Sequence, residues 1–208
     1  FELRAALGRL EEALGEDESI PGESEAAPEP TEVELSEGTV ADLADGPIAV
    51  EMYGGWAATD GSRVVGGEGS TEEFAEAIAG KPLVAHDIKA VGGRTGLLAA
   101  LEATEAGPVI HHDTVVAAYL LEPTRRNYAL DELAVAAGLA PSGLDDEDGQ
   151  MSLVTVESED GSSIAPEIAA TVWNLAEAQR PRLEEAGLVP LLEDIEQPLI
   201  RVLAAMER

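Results

Sequence analysis

Apolar positions along the chain fall into short runs with two different periods, and the period of each run predicts its backbone. Leu3, Leu7, Leu10 and Leu14, preceded by Phe1, recur at three- and four-residue steps, the stripe of an amphipathic helix of about four turns. The pattern stops at Glu16. From there to Pro30 the chain reads EDESIPGESEAAPEP, too poor in apolar area to offset the entropy of ordering it, so a flexible linker is expected. Beyond Val33, Pro47 to Met52 is strand-like, and Trp56 to Thr59, Asp60 to Ser62 and Arg63 to Val65 read as strand, turn and strand. Ser70-Thr-Glu-Glu73 has the spacing of a capping box for a helix ending at Gly80. Pro82 to Ala85 predicts another strand, followed by helical periodicity through Leu97, Leu98 and Leu101.

Val109 to His111 predicts a short strand, and Asp113 to Leu121 and Leu130 to Leu139 predict helices. Ala140 to Ser163, with PSGLDDEDGQ inside it, is polar and acidic and reads as a surface loop. Helical pattern returns from Ile164 to Gly187, with a break expected at Pro181. A last helix runs from Leu191 to Met206, kinked at Pro198, with Leu192, Ile195, Leu199, Val202, Leu203 and Met206 on one face. Antiparallel strands followed by strands alternating with helices imply an α/β fold with a mixed sheet.

Composition narrows the function classes. Twelve Lys and Arg face 42 Asp and Glu, a formal charge of −30, which argues against a free-standing module that grips nucleic acid by neutralising phosphates. The 45% hydrophobic content argues against wholesale disorder. With no Cys there is no disulfide framework, thiol nucleophile or thiolate metal site. No run approaches eighteen apolar residues and the start lacks a signal-peptide layout, so a cytoplasmic protein without a membrane partner is expected.

Four local patterns suggest chemistry. His111-His112-Asp113 resembles a metal site, but neighbours on a strand face opposite ways and would need a bend to share an ion. Strand end plus helix N-cap, with Asp113 accepting amide hydrogens, is the reading preferred. Gly92-Gly-Arg-Thr-Gly96 and Gly66-Gly-Glu-Gly69 lack the Lys-Ser/Thr of a phosphate loop and the dinucleotide spacing; a turn or distorted helix accounts for each. Arg125-Arg126, the sole adjacent basic pair, is a candidate nucleic-acid contact, with helix capping and local charge balance as the alternative. No Gly-x-Ser-x-Gly occurs.

Two longer stretches are more specific. His112-Asp-Thr-Val-Val-Ala-Ala-Tyr-Leu-Leu-Glu-Pro123 with Tyr128-Ala-Leu-Asp-Glu-Leu-Ala134 resembles the helix pair in the 3′ to 5′ exonuclease region of bacterial family A DNA polymerase I. Leu192 to Glu207 resembles the segment by which that region enters the polymerase thumb, and Phe1 to Leu7 is similar to the last helix of the upstream 5′ nuclease. The resemblance implies four parts. Residues 1–15 would end the 5′ nuclease, 16–32 would be an acidic linker, 33–188 an RNase H-like 3′ to 5′ exonuclease fold, and 189–208 the start of the thumb.

The resemblance also implies a two-metal site built from carboxylates, and this chain departs from it. Glu51 stands at the first acidic position of the first motif, and Tyr53 replaces the second. In Asp87-Ile-Lys-Ala-Val91 the metal-binding Asp becomes Val91. In the third motif Ile164 and Ile168 occupy both functional places, and a one-residue shift would put Glu167 at the second. Mg²⁺ needs its charge and coordination satisfied, so this domain is expected to hold no catalytic residue, metal or cofactor. Mg²⁺ is expected for the parent polymerase. A monomer is expected, with the polymerase module of the same chain as partner and DNA reached through that module. Two alternatives stand beside this: a residual exonuclease using Glu51, Asp87 and Glu167, and an acidic protein-interaction module.

Overall fold

A computed structural model describes residues 35–139 and 163–207. The expected helix at Phe1 to Leu14, the linker after it, and all but the last residue of the 140–163 loop lie outside the described residues. Six strands form one sheet: β1 (Leu35–Ser36), β2 (Ile48–Met52), β3 (Trp56–Thr59), β4 (Val64–Gly67), β5 (Pro82–Ala85) and β6 (Val109–Asp113). Their order is β1-β4-β3-β2-β5-β6. β2, β3 and β4 form an antiparallel meander, β5 adds parallel to β2 and β6 parallel to β5, and β1 lies parallel to β4.

The meander turns tightly because Asp60 folds the loop onto itself. Its Oδ1 accepts the backbone N–H groups of Ser62 and Arg63, while its Oδ2 accepts that of Ala44. The helices are α1 (Thr71–Ile78), α2 (Ile88–Thr95), α3 (Leu97–Ala103), α4 (Thr114–Leu121), α5 (Leu130–Ala136), α6 (Ala165–Glu185), a short α7 (Val189–Leu191) and α8 (Gln197–Met206). α1 starts on the expected box, in which Ser70 Oγ accepts the Glu73 N–H and Glu73 accepts the Ser70 N–H.

Side-chain alternation on the strands divides the core between the two faces of the sheet. Ile48, Val50, Ala58, Val65, Leu83 and Ala85 face one layer with Phe74, Ile78, Ile88, Leu97 and Leu101. Ala49 and Val84 face the other, against Leu130, Leu133, Val172 and Leu175. Each fully buried Leu, Ile or Phe contributes about 2 kcal/mol by leaving water, so both faces of the central strands are committed to packing.

Three details differ from the periodicity. The run before Leu101 is two helices, not one. Gly96, at φ +77°, caps α2 and opens α3, and a Cβ on Gly92 would lie 2.6 Å from the Leu98 Cβ, so the two helices meet closer than any larger residue permits. Pro181 does not break its helix, for α6 is continuous from Ala165 to Glu185. Gln179 and Leu183 are buried on either side of Pro181, and that packing outweighs the single hydrogen bond a proline removes.

The third difference concerns the C-terminal segment. Instead of a proline kink, Leu192–Glu196 forms a π-helical turn, with the Gln197 N–H donating to the Leu192 carbonyl, and Pro198 sits in the first turn of α8. The five-residue step rotates the helix phase. Leu192 is buried as expected, but Gln197, Ile200 and Ala204 then turn inward, while Ile195, Leu199, Val202, Leu203 and Met206 are exposed.

Candidate functional site

The C-terminal ends of β2, β5 and β6 are where an open α/β sheet gathers chemistry, and several sequence-predicted positions fall there. Glu51, near the end of β2, is 4% exposed. Burial pushes its carboxyl above the usual range, opposed by the Met52 N–H that donates to it at 2.8 Å and by the Arg94 charge. Tyr53 lies just past β2 in the bend toward β3 and is exposed, and its carbonyl accepts the Ser163 hydroxyl at 2.8 Å. The two therefore do not share a strand face.

Asp87 takes a left-handed conformation, φ 51°, rare for a residue with a Cβ. Its carboxylate accepts the Ala90 N–H and caps α2. One turn on, Val91 is 3% exposed. Ile164 is the N-cap residue of α6, Ile168 packs against the second core, and Glu167 is exposed in the first turn. Among the described residues no three His, Cys, Asp or Glu side chains come together in a way that could hold a metal ion. Glu51, Asp87 and Glu167 are thus not assembled into a site, and the residues present do not fit the two-metal arrangement.

The strand β6 brings together what the sequence read as strand end and cap. Leu83 pairs with Ile110 but Val84 with His112, leaving His111 as an extra residue in a bulge. That bulge is the bend thought to be lacking, and both histidines line one cleft of about 50 Å³ with Trp173, Glu177 and Arg180. The cleft is far smaller than the roughly 300 Å³ at which ligand pockets begin.

His112 is committed elsewhere. Gln179 donates its Nε2 hydrogen to the Thr114 carbonyl at 3.0 Å, so its oxygen faces His112 Nε2 at 2.9 Å, and that nitrogen must carry the proton. Burial holds the imidazole down at about 4. His86 follows the same logic. Its Nδ1 lies 2.8 Å from the Thr114 hydroxyl, and burial lowers it to about 4 against the raising effect of Asp87 and Asp131.

Between them sits Asp113, 2% exposed. It accepts Val115 and Val116 amides, as expected of an N-cap, and also the Ile88 amide at 2.8 Å, tying the start of α2 to the start of α4. Burial pushes its carboxyl up to about 6, against those three donors. Sequence reasoning missed Gln179 and the Ile88 bond. The signal for Gln179 was its position on the apolar stripe Val172, Leu175, Leu183 of α6, where a polar residue must find a buried partner.

Arg125 is occupied locally, bonding Glu122 Oε2 and the carbonyls of Asn127 and Glu132. This matches the capping and charge-balance alternative. Arg126 is exposed.

No protein-family profile matches the chain. Over 98 residues it is 38% identical to DNA polymerase I of Treponema pallidum (strain Nichols), a stretch covering 46% of this chain and 10% of that protein. The chain thus corresponds to a small part of that relative. Its fold is similar to that of a solved structure, the POL domain of Pol1 from M. smegmatis in complex with DNA primer-template and dNTP, with a TM-score of 0.56 and 22% identity over 81% of this chain and 29% of that one. Among the described residues no helix is long and apolar enough to cross a membrane.

Proposed function

We propose that the chain is a degenerate 3′ to 5′ exonuclease-type domain of a DNA polymerase I, kept as a structural module beside the polymerase and no longer trimming DNA. The observation that carries this reading is Val91. Its buried side chain stands one helical turn after Asp87, where the resemblance calls for a metal-binding acid. Tyr53, Ile164 and Ile168 support it in the same sense, since none can supply a carboxylate. The strand order β4-β3-β2-β5-β6, three antiparallel strands continued by two parallel ones, supports an RNase H-like layer, and the 98-residue similarity supports the polymerase parentage. In this reading DNA, Mg²⁺ and template-directed synthesis in replication and repair belong to the parent polymerase.

The neutral substitutions also change what the site presents to DNA. A net charge of −30 repels a primer strand unless bound cations offset it. The test is trimming of a single-stranded 3′ end by the purified chain with Mg²⁺ or Mn²⁺. The expected result is no trimming above a metal-free control. Trimming that disappears in Glu51→Ala would replace this reading with that of a residual exonuclease.

A further inference from the structure

The outer face of the C-terminal helical segment has no partner that explains it. Ile195 in the π turn and Leu199, Val202, Leu203 and Met206 on α8 are 40 to 77% exposed. They recur at three- and four-residue steps, so they form one stripe. The opposite side, Gln197, Ile200 and Ala204, is buried, with Gln197 donating to the His111 carbonyl. At the N-terminal end of α2, Lys89 reaches Glu207 at 2.8 Å. The helix is therefore fixed on the domain with its apolar stripe turned outward. Single exposed apolar residues are ordinary, whereas a contiguous patch of several hundred Å² marks an interaction site.

We propose that this stripe is the seam on which the polymerase module of the same polypeptide packs, an inference that rests on the function proposed above. Two observations select that occupant. A second copy would bring another −30 charges to the face, and like fields of that size oppose self-association. A module that holds DNA carries cations for the phosphates, and so complements an acidic neighbour. In the M. smegmatis structure the part that matches this fold is 29% of its chain, so there the fold is accompanied by a much larger body of protein.

The chain contains no Cys, which makes a thiol probe selective. Leu199→Cys and, as a control on another surface, Val135→Cys are prepared both in the 208-residue chain and in the natural polypeptide that contains it. Modification by a maleimide is followed by mass spectrometry of the labelled peptide. Both positions are exposed, so the variants fold. Residue 199 is expected to label roughly tenfold or more slowly in the natural polypeptide than in the 208-residue chain, while residue 135 labels alike in both.

Equal rates at 199 in a polypeptide that does contain polymerase motifs would overturn the seam and leave the function proposal standing. A natural polypeptide without those motifs would overturn both. Slow, concentration-dependent labelling of the 208-residue chain alone would assign the stripe to a second copy instead.

Discussion

Lowering the pH from 7 to 5 should loosen this domain through two buried histidines, against a smaller opposing effect from Asp113. His86 and His112 both fall from 6.5 to about 4 on folding, because burial disfavours the imidazolium. Between those values the unfolded chain binds more protons, so stability rises with pH across that window and is lost as pH falls. At pH 5 each histidine withdraws about 2 kcal/mol relative to pH 7. Asp113 has the opposite sign. Its carboxyl rises from 3.8 to about 6, the folded state binds the extra proton, and roughly 1 kcal/mol is regained over the same interval. The net loss from these three groups is about 3 kcal/mol, a large fraction of a typical domain's stability.

Acid also relieves repulsion among 42 acidic residues, so the clean measurement is a difference between variants. Urea unfolding followed by circular dichroism at pH 7 and pH 5 should show His112→Asn losing about 2 kcal/mol less than the unmodified chain. An identical pH response in the two proteins would refute the assignment of His112 as a buried neutral imidazole. So would an NMR titration placing its midpoint near 6.5.

Two further substitutions probe the same architecture. Asp113→Ala leaves the Ile88, Val115 and Val116 amides without their acceptor and should cost about 2 to 4 kcal/mol in chemical unfolding; a loss under about 0.5 kcal/mol would show that the carboxylate does not hold the two helix starts. Gly92→Ala places a Cβ 2.6 Å from that of Leu98, forcing α2 and α3 apart. Its thermal midpoint should drop by an amount equivalent to about 1 to 3 kcal/mol, and an unchanged midpoint would contradict the close approach.

Local chemistry made much of this fold legible in the chain itself. The alternation in Ile48–Met52 and Trp56–Thr59, the Ser70 to Glu73 box and the Asp113 cap each depend on residues within a few positions, and each forms as expected. The departures at Tyr53, Val91, Ile164 and Ile168 could likewise be read from residue types alone, because an apolar or phenolic side chain cannot become a carboxylate ligand in any fold.

Tertiary structure decided the rest, wherever the outcome depended on groups far apart in sequence. Helix α6 runs through Pro181 because Gln179 and Leu183 are buried on either side of it. The bulge at His111 depends on how β6 pairs with β5. Only the folded molecule could show His112 joined to Gln179, or Asp113 to Ile88, since burial set those partners and their proton affinities together. Periodicity found the apolar face of the last helix, but a π turn chose which side faced the core and left Leu199, Val202 and Leu203 turned outward. Sequence determined which residues could pack or bind a proton; the sheet and its helices determined against what.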